Sequence, residues 1–334
     1  MSPTGSSPAP STLRVALALA TVYVIWGSTY LAIAIAIETL PPFWMAGVRF
    51  VVAGALLYGF SRWRGAPRPT LPHWRSAALI GGLLLLGGNG GVVWAEQRVS
   101  SGIAALLVSM VPLWMVLFRW MQPGGERPTK QVWAGVTLGF TGLMLLVRPW
   151  SSGGGVDKID LLGVAALMFA CISWAWGSIH SRRVPLPDSP FLVTGMEMLC
   201  GGAMLLLVGA FAGEPAQLDF AAVSARSALA LLYLITFGAL AGFTAYIWLL
   251  KVANPVLVST YAYVNPIVAV FLGWLILGEP ITGKTLLAAA VIVAGVVMIT
   301  LAQGKSGGPK AKPEPVPALE EETEEAEVPA LAKA

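Results

Sequence analysis

Apolar residues in this chain fall in long, nearly unbroken runs, and the polar residues are confined to short stretches between them. A bilayer core about 30 Å thick is crossed by roughly 20 apolar helical residues. Ten runs approach that length: Leu13–Ile37, Phe43–Phe60, Ala77–Ala95, Gly102–Arg119, Gln131–Val147, Leu161–Ile179, Phe191–Phe211, Ala228–Leu250, Val256–Leu277 and Thr285–Leu301. The pattern predicts an all-α polytopic membrane protein of ten transmembrane helices. The connections leave no room for a folded soluble domain, so whatever chemistry the chain performs is expected within the membrane.

The runs repeat. Pro42, Phe43, Gly47, Gly54 and Ala55 recur as Pro190, Phe191, Gly195, Gly202 and Ala203, with Arg49 answered by Glu197. Trp26-Gly27-Ser28 returns as Trp176-Gly177-Ser178, Trp94 as Trp248, Pro112 as Pro266, Gly125-Glu126 as Gly278-Glu279 and Gly142 as Gly295. Collinear matches over the whole length indicate a duplicated unit. The division is a leader over 1–12, a first five-helix repeat over 13–148, an external connector over 149–160, a second repeat over 161–302 and a charged tail over 303–334. Five spans is an odd number, so the second copy enters from the opposite side, and the expected architecture is two inverted five-helix repeats.

Composition sharpens this picture. The chain is 56% hydrophobic and 11% charged, with a mean hydropathy of +0.74, about half the charge of a soluble domain. With a cytoplasmic N-terminus, 15 Lys and Arg fall on the inner side and 5 outside, so both termini are expected to face the cytoplasm. That basic balance suits an anionic leaflet and does not indicate nucleic-acid binding. The tail, rich in Pro, Lys and Glu, reads as disordered. Cys171 and Cys200 sit inside apolar runs as small hydrophobes.

The combination of two inverted five-span halves, Trp-Gly-Ser in spans one and six, the Pro-Pro-Phe turn into Gly-Val-Arg-Phe, a proline within spans four and nine, and Tyr-Ala-Tyr-Val-Asn-Pro followed by Gly-Glu resembles the EamA-type transporters of the drug/metabolite transporter superfamily. The resemblance covers about residues 13–302. It implies a secondary carrier of a bacterial inner membrane, a multi-pass permease exporting small metabolites such as amino acids, or toxic organic compounds, by alternating access. A channel or scramblase without ion coupling is the alternative. The implied partners are a small-molecule substrate, membrane lipids and protons, with the chain acting as a monomer or homodimer.

The candidate substrate-binding residues are polar or aromatic groups held at mid-membrane depth. Tyr23, Trp26 and Tyr30 form one stripe of span one, and Trp174 and Ser178 share a face of span six. Asn89 interrupts a glycine run, Trp94 is echoed by Trp248, and Tyr261, Tyr263 and Asn265 surround Pro266. An aromatic chamber suits planar apolar or cationic solutes, and its expected walls are spans one, three, four, six, eight and nine. Aromatic stripes also serve plain packing, and the glycine run either brings helices close or unwinds to present Asn89. Pro112 and Pro266 are candidate hinges, each removing a backbone hydrogen bond to the carbonyl four residues back, on Val108 and Ala262.

Arg49 and Glu197 are charges inside spans. Each lies ~9 Å in from an opposite face, leaving ~12 Å between them along the membrane normal, which disfavours a direct salt bridge. Glu197 is the candidate carboxylate for proton coupling. Gly278 to Thr285 fits the phosphate-loop spacing but has no preceding strand and lies on the outer side, so nucleotide binding is rejected. His73 and His180 are the only histidines, with no metal-ligand spacing and no nucleophile–base pair. No enzyme activity, metal or cofactor is expected. Gly135 and Gly139 form a small-residue pair for helix packing, favoured within the chain over a dimer contact.

Overall fold

The computed structural model describes residues 12–123, 127–147, 159–253 and 255–306. Most of the leader, the Gly125-Glu126 echo, nearly all of the connector and the acidic tail lie outside these residues. The described chain is helical, with no strand among the described residues. The main helices are α1 (Thr12–Ala36), α2 (Pro42–Trp63), α3 (Leu71–Ala95), α4 (Ser101–Met121), α5 (Lys130–Val147), α6 (Leu161–His180), α7 (Pro190–Phe211), α8 (Ala225–Leu250), α9 (Tyr261–Leu277) and α10 (Gly283–Ser306). Nine of them, among the described residues, are long and apolar enough to cross a membrane. The tenth, α9, has 17 residues because its run is broken at Ser259 and Thr260, after a short helix over Pro255–Val258.

Two seams join the first half to the second, and glycine makes both. Gly47 of α2 abuts Leu206 of α7, while Gly54 abuts Leu199 and Gly195 abuts Tyr58, so the two helices run antiparallel. Gly135 of α5 abuts Ile299 of α10 and Gly142 abuts Ile292, again antiparallel. A side chain at Gly54 would place its Cβ 2.8 Å from the Leu199 amide nitrogen, closer than backbone can yield. Each glycine costs about 1 kcal/mol of helix propensity against alanine, a cost offset by the dispersion contacts that close approach allows. The Gly135 and Gly139 pair is therefore occupied within the chain, by α10.

The remaining contacts also come in pairs that exchange the halves. α1 lies against α8 and α9, as α6 lies against α3 and α4. Inside α3 and α8 the winding loosens: Gly82–Gly90 and Leu234–Ala241 are π-helical. The glycine run of α3 does not unwind. It lets α6 in, with Gly88 against the Trp174 ring and Gly91 against Ala170. A glycine run occurs only in the first half, yet the π segment occurs in both.

The prolines sit differently from each other. In α4 the helix breaks at Ser109 and Met110, and Pro112 falls in the first turn of the segment that follows, where a missing N–H is harmless. Pro266 lies inside α9, with the break six residues upstream at Thr260. The helix break therefore precedes each proline.

Candidate functional site

The aromatic residues of α1, α8 and α9 meet because Gly27 admits α9 and Gly242 admits the Trp26 ring. Trp26 packs against Tyr246, Tyr261 and Phe243 at centroid separations of 5.0, 5.2 and 5.3 Å, and its indole N–H donates to the Gly238 carbonyl at 3.3 Å. The two edge-on pairs, with Phe243 and Tyr261, contribute about 0.5–1.5 kcal/mol each beyond burial. Tyr23 shares a hydrogen bond with Thr260, and the Ser28 and Tyr233 hydroxyls lie 2.6 Å apart. Asn265 is buried one turn from Tyr261, and its Oδ1 has no partner. A buried amide oxygen without a donor is costly, which makes Asn265 an unsatisfied polar point beside the aromatic cluster.

Of the other predicted residues, Tyr30 and Tyr263 border that cluster, Tyr30 near Tyr261 and Tyr263 near Tyr23 and Thr260, and both pack against the hydrophobic core shared by α4, α5, α6 and α10. Trp174, Asn89, Ser178 and Trp94 lie apart from it. Trp174 stacks on Gly88, and the Asn89 amide reaches back to the Leu84 carbonyl at 3.5 Å. Ser178 lies near the end of α6, where its carbonyl accepts from the Ser181 hydroxyl at 3.0 Å. Trp94 lies at the end of α3 beneath the Arg98 guanidinium, 4.7 Å from its ring centroid. The echo of Trp26 also departs from symmetry: Trp176 is 43% exposed, against Phe118.

Of the two intramembrane charges, Arg49 is 4% exposed and stacks over Phe50 at 4.7 Å, with Nε and Nη1 unpartnered. Its Nη2 faces the bare backbone of Gly238. Glu197 is only half-buried, on the α7 face that meets Gly81 of α3, and makes no ion pair with Arg49. The α2–α7 register, in which Gly54 meets Leu199, puts the two about seven residues out of step, or ~10 Å.

Three acidic residues that the sequence reading did not single out do more. Gly213-Glu214-Pro215 and Gly278-Glu279-Pro280 have the same sequence and the same construction. Each glycine ends a helix in the left-handed region, with φ of 77° and 67°, and turns the following carboxylate back onto a helix N-terminus of the first half. Glu214 accepts the Phe43 and Trp44 amides at 3.0 and 2.6 Å. Glu279 accepts the Ser101 amide and hydroxyl, both at 2.7 Å, and the Gly102 amide at 3.0 Å. Both satisfy free N–H groups and meet the positive end of a helix dipole. Glu279 also explains the loop with phosphate-loop spacing, which is a helix latch. The third residue, Glu96, is 8% exposed at the end of α3, and neither carboxylate oxygen has a donor.

The same end of the bundle carries further ties. Arg226 pairs with Glu38 at 3.4 Å, the Ser227 hydroxyl donates to the Ile35 carbonyl at 2.8 Å, and Arg98 pairs with Asp160 at 3.2 Å. Asp160 caps α6 through the Leu162 and Gly163 amides. The Gly163 N–H, outweighing some desolvation and helped by Arg98 and Leu162, holds the Asp160 carboxyl below its ordinary value. A depressed folded-state value means the stabilisation is present above about pH 3.9, the ordinary carboxyl value, and is lost as pH falls through the folded one. The difference in thermal unfolding temperature between the parent chain and Asp160→Ala is thus expected at neutral pH and absent in strong acid. A difference that persists unchanged in acid would exclude the cap as its source.

The opposite end carries shallow clefts on the bundle surface. Two clefts, each of about 660 Å³, meet at Phe191 and Thr244, between α2, α7 and α8. One is walled by Leu240, Ala241, Ala245 and Trp248, and is almost wholly apolar. The other runs out past Leu57 and Ser61 to Arg64 and Ser189. These walls differ from the expected ones: α2 and α7 contribute, while the aromatic rings of α1, α8 and α9 are packed against one another. The reason is the small residues Gly27 and Gly242, which draw those three helices together.

A helical bundle with two half-to-half glycine seams, one latched end and one cleft end is a multi-pass membrane protein of the transporter type. The chain belongs to the EamA-like transporter family, which matches residues 13–148 and again 161–301. It is 41% identical over 309 residues to the inner membrane transporter YedA of Escherichia coli K12, covering 92% of this chain and 96% of YedA. The chloroplastic WAT1-related protein At3g02690 of Arabidopsis thaliana is 26% identical, over 84% of this chain and 68% of its own length. The YvbV transporter of Bacillus subtilis is 24% identical, over 86% and 91%. One solved crystal structure matches at a TM-score of 0.59, covering 89% of this chain and all of its own, with 23% identity, a likeness of fold.

Proposed function

We propose that this protein is a secondary carrier of the bacterial inner membrane that exports small organic solutes, amino acids or toxic organic compounds, by alternating access between two inverted five-helix repeats. The antiparallel α2–α7 and α5–α10 seams support the inversion, since a two-fold axis in the membrane plane relates equivalent helices head to tail. The observation that carries the reading is the asymmetry of the two ends. Hydrogen-bonded carboxylates tie the halves together at one end, and the clefts open at the other.

The cleft end bears Arg62, Arg64, Arg68 and Arg75 around the α2–α3 connection and Arg182 and Arg183 after α6, and the positive-inside rule supports a cytoplasmic location for it. On this reading the conformation faces inward, the state in which an exporter takes up solute. YedA being an inner membrane transporter supports the location. Counterflow in proteoliposomes, with a panel of amino acids and organic cations, tests the carrier. Saturable exchange with at least one solute is expected, and linear, unsaturable flux would sink the carrier in favour of a pore.

A further inference from the structure

Glu96 stands out among the groups that the latches and the aromatic cluster leave unused. Its carboxylate is buried, without a donor, at the latched end of the bundle, where the other acids among the described residues are paired or hydrogen-bonded. Three groups interact with its charge. Arg49 of α2 and Glu279 of the α9–α10 connection act on it from opposite signs. Tyr30 of α1 feels it as well. Arg49 comes close enough to be felt but makes no ion pair with it, and its own Nε and Nη1 are unpartnered. Five residues on, Ser101 is the anchor that Glu279 holds.

We propose that Glu96 is the group that binds the transported proton, and that its neutral acid is the form in which the end latched by Glu279 closes. The inference rests on the carrier reading above. An ionised Glu96 in the closed state would be a bare anion beside the Glu279 carboxylate, with no hydrogen-bond donor to replace water. One proton on either oxygen removes the repulsion and reduces the burial cost from that of a charge to that of a neutral polar group. When the latch opens, water reaches Glu96 and the ionised form is hydrated, facing Arg49. A proton taken from water at that end is thus enclosed by closure; Glu96 lines neither cleft here, so it gives the proton up on the other side only once water reaches it from there, and no other bond forms or breaks. Glu197 does not meet these conditions: it is half-buried, off the latch, and no cation acts on it.

The test uses the full chain with Cys171 and Cys200 replaced by alanine and a single cysteine at Val99, which is buried between Glu96 and Ser101. A water-soluble thiol reagent is the probe. Its labelling rate is expected to rise about tenfold from acid to alkaline pH, after correction for thiol ionisation on a peptide, as the ionised carboxylate shifts the population to the open latch. Glu96→Gln is expected to label slowly at every pH, whereas Glu96→Asp and Glu197→Gln keep the response. A flat profile in the parent chain, a response surviving in Glu96→Gln, or one lost in both Glu96 variants overturns the proposal. Counterflow measured on the same preparations separates the two readings. Exchange without any pH response removes the proton site alone, and a pH response without exchange removes the carrier alone.

Discussion

Glu279→Ala is expected to destabilise the protein by about 3 kcal/mol, the scale of losing charge-assisted hydrogen bonds to two amides and a hydroxyl where water replaces them only in part. The effect should be uneven. The start of α4 loses its only anchor to the α9–α10 connection described here, so a cysteine at Val99 should label faster while the seams of α2 with α7 and α5 with α10 stay protected from hydrogen exchange. Glu279→Gln separates charge from shape, since it keeps an acceptor for the Ser101 amide but not the pull of the helix dipole. It should fall between the parent and the alanine variant. Uniform loosening of the whole bundle in Glu279→Ala would show that the residue is general scaffold and not a latch.

The second large effect is expected at the α5–α10 seam. A side chain at Gly295 would set its Cβ 2.6 Å from the Gly135 carbonyl oxygen and 2.7 Å from the Gly139 nitrogen, and both are helix backbone. Forcing an extra group into a close-packed contact costs about 1–3 kcal/mol, and more where backbone must move. Gly295→Val should therefore lower the unfolding temperature in detergent steeply, or leave no folded protein. Gly59 in α2 is the control, with nothing within 4 Å of its Cβ position. Gly59→Ala should shift stability by no more than about 1 kcal/mol. Equal effects at the two sites would mean that helix propensity, not the seam, sets the stability.

Much of the bundle was legible in the chain because lipid imposes one length on every crossing helix, and that length survives as an apolar run. The repeat was legible for a similar reason: Gly47, Gly54, Gly195 and Gly202 are the points where two backbones touch, and such points admit no other side chain. The α9 break at Thr260 was not legible, since Ser and Thr within an apolar run are compatible with an unbroken helix. Trp26 and Trp176 show the limit of the echo. They are equivalent in sequence, yet one is enclosed by three rings and the other is exposed beside Phe118, because partners and not position decide which way a ring turns.

The acids were the larger omission. Glu96, Glu214 and Glu279 stand at span ends, where a charge is ordinarily solvated and so attracts no attention. The twofold occurrence of Gly-Glu-Pro was the available signal: a left-handed glycine followed by an acid and a proline fixes where the carboxylate is aimed. Gly278-Glu279 had instead been matched with Gly125-Glu126, at the repeat spacing, which pairs equivalent positions of the two halves and not the two latches of one end.

The loosened stretches of α3 and α8 bear on where the molecule works. Turns wound this wide are rare and gather at functional sites, and here they stand at matching places in the two halves, one rod of each.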